Sequence, residues 1–198
     1  AVAFRYAEAD ILAVDLSRAS LGYAMRRTRE LGVDNIRYRQ ADILALGGIE
    51  ERFDLIESSG VLHHMADPEA GWAILAGLLK PGGFLKLGLY SATGRQAITA
   101  ARGLVAAQNL PASIEGIRQA RQAIRALPPE HAARKVAEEL DFASASGCRD
   151  LLFHVQEECF TISRIGDAIR RFGLAFLGFE IADEATQAAY AKAYPEDR

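Results

Sequence analysis

Residues 11–17 are Ile-Leu-Ala-Val-Asp-Leu-Ser, a continuous apolar run that stops at an acidic residue. Runs of this kind are typical of parallel strands that are buried on both faces. Ser17 is a good helix N-cap, and apolar side chains then recur at helical spacing from Leu21 to Leu31, before Gly32. The segment therefore predicts a β-strand followed by an α-helix.

The same alternation continues to residue 90. Residues 36–39 and 53–57 predict a second and a third strand, and Phe84 to Tyr90 predicts a fourth. Asp67-Pro68 predicts the start of a further helix, because proline is favoured at the first helical position. Strands that alternate with helices predict right-handed crossovers and an α/β fold with a doubly wound, mainly parallel sheet.

The pattern changes after residue 90. Residues 91–150 are mostly helical in pattern and rich in alanine and arginine, which predicts a helical insertion, or lid, above the ligand edge of the sheet. Residues 151–198 predict a helix over Thr161–Phe172 and a last strand over Leu174–Ile181 that completes the sheet. We therefore expect one domain over residues 1–198, with its core in residues 1–90.

Composition limits the possible classes. The chain has 198 residues, half of them apolar, with a net charge of −3 and no apolar run of the roughly 20 residues that a membrane helix needs. Two cysteines are too few for a disulfide framework, which favours a reducing compartment, the cytoplasm. Residues 95–135 carry 7 basic and 2 acidic side chains, a basic island too modest to indicate nucleic acid. Cys148, His154 and Cys159 match no standard zinc spacing, so no metal is expected.

Three successive predicted strands end at acidic residues, Asp15, Asp42 and Glu57. In an open parallel sheet the ligand lies at the carboxyl ends of the strands, where a carboxylate accepts hydrogen bonds from ribose hydroxyls. Asp42 beside the apolar Ile43 suits the edge of an adenine, because its carboxylate can accept a hydrogen bond from the adenine amino group. The alternative is that these acidic residues cap the helices that follow them or face water.

Five segments resemble, in order and spacing, the motifs of class I S-adenosylmethionine-dependent methyltransferases. They are ILAVDLS at 11–17, ADI at 41–43, FDLIES at 53–58, VLHHM at 61–65 and LLKPGG at 78–83. Residues 148–161 are similar to bacterial methyltransferase domains that are often fused to tetratricopeptide repeats, which implies such a fusion in the full-length protein.

The resemblance implies transfer of a methyl group from S-adenosyl-L-methionine to a small-molecule or protein acceptor, with residues 1–90 as the cofactor-binding core. It implies that Asp15 binds the ribose hydroxyls and that Leu16 packs on the adenine. The other implied site residues are Ala41, Asp42 and Ile43 at the adenine edge, Glu57, Ser58 and Ser59 beside the methionine moiety, and the paired His63 and His64 near the methyl-transfer face. Either histidine suits a general base, where the acceptor must lose a proton.

One part of the family pattern is missing from the sequence. No two of the 17 glycines are spaced as Gly-x-Gly, so we expect the family's glycine-rich loop upstream of Ala1. The resemblance also implies a final strand antiparallel to the sheet, so we expect a closing strand beyond Arg198. Two other interpretations stay open: a degenerate methyltransferase fold that serves as a binding module, and a dinucleotide-dependent oxidoreductase. The oxidoreductase gives no reason for Ala41-Asp42-Ile43 or for Lys80-Pro81-Gly82-Gly83.

Overall fold

The computed structural model describes residues 2–180 and 183–196. Its strands are β1 Ile11–Asp15, β2 Ile36–Gln40, β3 Phe53–Ser59 and β4 Leu79–Gly88. Its α-helices are α1 Val2–Arg5, α2 Arg18–Glu30, α3 Pro68–Gly77, α4 Gln96–Ala107, α5 Ile114–Arg125, α6 Leu140–Ala143, α7 Ala145–Phe153, α8 Ile162–Arg171 and α9 Glu184–Ala193. Short 3₁₀ helices cover Ile43–Gly48, Leu62–His64 and Ala132–Glu138.

All strand pairing in the described residues is parallel. β1 pairs with β2 after the crossover through α2, and β3 pairs with β4 after the crossover through α3. The α/β class with helices between parallel strands is therefore confirmed. The described strands form two separate two-stranded pairs, and no ladder of hydrogen bonds joins β1–β2 to β3–β4 within this part of the chain.

The predicted helix starts are confirmed by side-chain caps. The Ser17 hydroxyl accepts a hydrogen bond from the Ser20 amide at 3.2 Å, and the Asp67 carboxylate accepts one from the Ala70 amide at 3.0 Å. These bonds satisfy backbone donors that have no partner inside the helix. Gly32, just after α2, has φ +66°, a conformation that glycine adopts without steric cost.

The turn predicted at Lys80-Pro81-Gly82-Gly83 interrupts β4. Leu79 pairs with Phe53, and pairing resumes only at Phe84, opposite Leu55, so residues 80–83 leave the ladder. The strand then ends at Gly88, two residues before the predicted end at Tyr90.

Most buried apolar side chains of the described residues lie in two separate clusters, which we call the helical core and the sheet core. The helical core lies within the segment after β4, where the helical insertion was expected; it contains Ile98, Ala101, Val105, Ile117, Ala120, Ile124, Ala133, Val136, Phe142, Cys148, Leu151 and Leu152. The sheet core contains Leu62, Trp72, Leu75, Phe160 and Ala168, with side chains of β3 and β4 packed against it.

The predicted last strand over Leu174–Ile181 is wrong for residues 174–180, which form no strand; Ile181 lies outside the described residues. A strand needs a neighbouring backbone, and residues 175–180 have no backbone hydrogen bond to another strand in the described chain. Phe176, Leu177 and Phe179 are each more than half exposed. The apolar pattern alone could not supply a pairing partner.

The burial of β1 and the length of the helices complete the description of the fold. The apolar residues of β1 are only half-buried, contrary to the expected burial on both faces, because β2 is the only strand paired with β1 in the described residues. No helix in the ranges 2–180 and 183–196 is long and apolar enough to cross a membrane.

Candidate functional site

The ends of β1 and β2 bring four of the predicted site residues together. Asp15 lies opposite Gln40 in the register, and the amide of Ala41 donates a hydrogen bond to the carbonyl of Asp15 at 3.3 Å. The Gln40 side chain donates to the carbonyl of Leu16 at 3.0 Å. Asp15, Leu16, Ala41 and the adjoining Asp42 therefore share one edge, as parallel pairing requires.

Both carboxylates at this edge also cap the chain that follows them. Asp15 Oδ1 accepts a hydrogen bond from the Ser17 amide at 2.7 Å, and Asp42 Oδ1 accepts one from the Leu44 amide at 2.9 Å. In each case the structure gives Oδ2 no partner among residues 2–180 and 183–196, and both side chains are exposed. A carboxylate has about four acceptor positions, so the caps leave capacity for a ligand.

Leu16 and Ile43 differ in their surroundings. Leu16, next to Asp15, is 66% exposed, so its side chain offers an apolar surface on which a flat ring can pack. Ile43 instead is partly buried and packs against the sheet core. Ile43 thereby links the end of β2 to the core beneath β3 and β4.

The end of β3 contributes Glu57, Ser58 and Ser59. The Glu57 carboxylate lies 3.8 Å from Lys86 Nζ, which also pairs with Glu180 at 2.6 Å. Glu180 is the main reason that the pKa of Lys86 is raised. Glu57 therefore belongs to an exposed charge cluster.

Ser58 and Ser59 occupy opposite faces of β3. Ser58 is buried, and its hydroxyl oxygen has no hydrogen-bond partner among the described residues. Ser59 lies opposite Gly88, where an added Cβ would stand 2.7 Å from Ser59 Oγ. A buried hydroxyl without a partner fits a site that a polar ligand completes. On the other face, the missing side chain of Gly88 leaves room for Ser59.

His63 and His64 lie in very different environments. His63 is 1% exposed, and neither ring nitrogen has a partner of hydrogen-bond geometry in the described residues. Its pKa is lowered from 6.5 to about 4, first by burial and then by the neighbouring His64. His64 is half-buried, and its Nδ1 lies 3.1 Å from the carbonyl oxygen of Gln156.

A cluster of aromatic and charged side chains surrounds the two histidines. The rings of Tyr90 and His63 stack with centroids 3.6 Å apart, and those of His64 and His154 with centroids 4.0 Å apart. The Arg95 guanidinium carbon lies 3.7 Å from the Tyr90 ring centroid, a cation–π arrangement. These contacts join the loop after β3 to residues beyond the end of β4.

The cluster is organised around Glu157, which the sequence did not single out as a site residue. Its side chain is 5% exposed and accepts hydrogen bonds from Arg95 Nε at 2.7 Å and Nη2 at 2.6 Å. Arg102 Nη1 lies 2.9 Å from the same carboxylate. The available signal was charge: the basic island begins with Arg95 and Arg102, and an acidic segment follows it.

The helical segment holds a cavity of about 490 Å³ between α5 and α7. Ile114, Ile117 and Phe153 supply apolar walls, and His154 lines one side. Because the His154 ring also stacks on His64, the cavity borders the histidine cluster.

Neither cysteine belongs to a metal-ligand cluster among the described residues. Cys148 is fully buried in the helical core, and burial is the main reason that its pKa is raised. Among the described residues, no three His, Cys, Asp or Glu side chains are grouped so that they could hold a metal ion.

Comparison with known sequences finds a family match in the first part of the chain. A family described as "Methyltransferase domain" matches residues 1–87. An uncharacterised protein of Synechococcus sp. is 32% identical over 182 residues, which cover 88% of this chain and 44% of that protein. A ubiquinone biosynthesis O-methyltransferase of Methylococcus capsulatus is 38% identical over 78 residues, 39% of this chain and 32% of that enzyme.

Solved structures show the same fold. PKMT2 from Rickettsia typhi matches with a TM-score of 0.70 over 96% of this chain and 40% of that chain, at 18% identity. The complex of PKMT2 with AdoHcy matches with a TM-score of 0.66 over 93% of this chain and 39% of that one, also at 18% identity. The chain thus spans less than half the length of these proteins.

The family match and the parallel strand pairs lie in the same part of the chain, residues 1–88. AdoHcy is the ligand of the PKMT2 complex. Residues 1–87 therefore match a methyltransferase domain, and the described chain shares the fold of PKMT2.

Proposed function

We propose that the protein is an S-adenosylmethionine-dependent methyltransferase whose acceptor is a small molecule or a protein. The observation that carries the proposal is the shared edge of β1 and β2, where Asp15 and Ala41-Asp42 lie side by side in a matched methyltransferase domain. Acidic residues at adjacent carboxyl ends of parallel strands suit a ligand that carries both a ribose and an adenine.

The residues present fit the cofactor. Oδ2 of Asp15 and Oδ2 of Asp42 have no partner in the described part of the chain, so they are available to the ribose hydroxyls and to the adenine amino group. The exposed Leu16 is available to the adenine ring. Ala41 and Ile43 flank Asp42, and Glu57, Ser58 and Ser59 are proposed to line the methionine end. When bound, the cofactor supplies an electrophilic methyl group.

The protein's own contribution is alignment, exclusion of water and, where the acceptor is protonated, removal of a proton. Of the two histidines predicted as catalytic, His64 suits the base, because it is half-buried. His63 is buried and its pKa is about 4, so its ring stays neutral and can support the His64 ring. The cavity that borders His154 is proposed to take an apolar portion of the acceptor.

Calorimetric titration of the full-length protein with S-adenosylhomocysteine tests the cofactor assignment. We expect saturable binding in the wild type and in Asp34→Ala, the matched control for Asp15→Ala. Asp34 is an exposed aspartate near the opposite, amino ends of β1 and β2. No binding heat at millimolar ligand would refute the assignment.

Transfer of a labelled methyl group then separates an enzyme from a binding module. The protein is incubated with methyl-labelled S-adenosylmethionine and fractionated small molecules or proteins. Label in one fraction, lost in His64→Phe, supports a transferase that uses a base. Binding of S-adenosylhomocysteine without any transfer would favour the degenerate binding module instead.

A further inference from the structure

The loop after α7, residues 154–158, lies directly against the segment that carries the paired histidines. The Glu158 amide donates a hydrogen bond to the carbonyl of His63 at 2.7 Å. The Gln156 side chain donates to the carbonyl of Met65 at 3.0 Å, and the Gln156 carbonyl lies 3.1 Å from His64 Nδ1. The loop is thus held at three successive positions, residues 63–65, which lie about 90 residues earlier in the sequence.

The contact between His64 and Gln156 defines a tautomer. A backbone carbonyl can only accept a hydrogen bond, so in the neutral ring Nδ1 carries the hydrogen and Nε2 keeps its lone pair. The other bonded histidines have the opposite arrangement: Nδ1 of His131 accepts from the Ala133 amide at 3.1 Å, and Nδ1 of His154 accepts from the Gln156 amide at 3.3 Å. His64 is therefore distinguishable from them by the position of its ring hydrogen.

Glu157 holds the loop in this position. Its carboxylate binds both nitrogens of the Arg95 fork and also Arg102, whose Nη2 donates to the carbonyl of His154 at 2.5 Å. A carboxylate this buried is costly unless cations compensate it, and the loss of its charge would leave two guanidinium groups close together. Glu157 therefore holds two residues that precede it in the loop: His154, through Arg102, and Gln156, its neighbour in the chain.

We propose that Glu157 is a positioning residue for His64, acting through the 154–158 loop to hold Nδ1 protonated and to keep Nε2 free to accept a proton. This proposal deepens the proposed function and rests on it, since a base at His64 has a role only in methyl transfer to a protonated acceptor. Tyr90 and Arg95 brace the other side of the cluster, because the Arg95 fork that binds Glu157 also stacks on Tyr90.

The test is the tautomer of His64, read from the ¹⁵N and ¹H shifts of the histidine rings at about pH 8, where neutral rings dominate. The His64 signals are assigned by their loss in His64→Phe. We expect His64 to carry its hydrogen on Nδ1 in the wild type and in Glu115→Gln, a control at an exposed glutamate on α5. In Glu157→Gln we expect a mixture of both tautomers.

Turnover is measured on the same variants. With Glu157→Gln we expect kcat to fall roughly tenfold or more, as for a misaligned base, while the affinity for S-adenosylhomocysteine stays within about twofold. Arg102→Lys keeps the charge opposite Glu157 and removes the planar fork, so an intermediate loss is expected. Arg102→Lys also provides the comparison if Glu157→Gln fails to fold, as monitored by circular dichroism.

The outcomes separate this proposal from the proposed function. A wild-type His64 with its hydrogen on Nε2 overturns the proposal, whatever the activity. An unchanged tautomer in a folded Glu157→Gln, or an unchanged kcat despite a changed tautomer, also overturns it. Failure of the proposed function shows itself separately, as no S-adenosylhomocysteine binding by the wild type.

Discussion

The rings of His63 and Tyr90 lie nearly face to face, with centroids 3.6 Å apart and planes inclined by 24°. The stack covers a histidine that is 1% exposed and whose ring nitrogens have no hydrogen-bond partner among the described residues. Burial keeps this ring neutral, which makes His63 a source of acid sensitivity in the fold.

We predict that the free energy of unfolding decreases as the pH falls from about 6.5 to about 4. The folded-state pKa of His63, about 4, is below its unfolded value, so the unfolded chain binds the proton first and is favoured by acid. Protonation of His63 costs the folded state nothing above pH 6.5. Below pH 4 it lowers the free energy of unfolding by about 3 kcal/mol. Urea unfolding at pH 7 and pH 4.5 measures it.

His63→Phe should remove most of this pH dependence while keeping an aromatic ring against Tyr90. His131→Asn is the control, since His131 is exposed and asparagine can cap the following 3₁₀ helix as the histidine does. An acid-induced loss of stability that is just as large in His63→Phe would contradict the prediction.

Asp15→Ala should weaken S-adenosylhomocysteine binding at least roughly 100-fold, because two charge-assisted hydrogen bonds are worth about 1.5–3 kcal/mol each. The fold should persist, since the side chain is exposed and makes one described hydrogen bond, to the Ser17 amide. Calorimetry and thermal melting check the two parts. Undiminished affinity in the folded variant would remove Asp15 from the site.

Two helical glycines should respond oppositely to alanine. A Cβ at Gly116 in α5 would stand 1.9 Å from the carbonyl oxygen of Pro111, so Gly116→Ala should cost about 1–3 kcal/mol. Gly103 in α4 has open space around it, so Gly103→Ala should stabilise the protein by about 0.5–1 kcal/mol. Chemical denaturation measures both, and equal effects of the two substitutions would contradict the packing described.

Glu157→Gln should make Cys159 more reactive. Burial is the main reason that the pKa of the Cys159 thiol is raised, and Glu157 is the next, so removal of that charge favours the thiolate. Alkylation by iodoacetamide, resolved by residue with mass spectrometry, should be several-fold faster than in the wild type. Glu115→Gln serves as the control, and equal rates in all three proteins would count against the role of Glu157.

Local features of the fold were predictable from sequence. The caps at Ser17 and Asp67 and the stop at Gly32 depend on residues within a few positions of each other, so the chain pattern contains the necessary information. The strand predicted over Leu174–Ile181 depended on a distant backbone partner, and its apolar residues gave no indication of whether one exists.

The candidate site shows the same division. Asp15 and Asp42 were found because each follows its own strand, and parallel pairing then places them at one edge. Glu157 was missed because its partner Arg95 is 62 positions away, and a carboxylate's burial becomes visible only when the chain has folded around it.

The division of the buried side chains into a sheet core and a helical core has a consequence for hydrogen exchange. Two independent cores favour two cooperative units, so amides of α4, α5 and α7 should exchange with their own opening free energy, separate from that of β3 and β4. Glu157 and its two arginines lie where these units meet. The strength of that junction then determines whether the chain melts in one transition or in two.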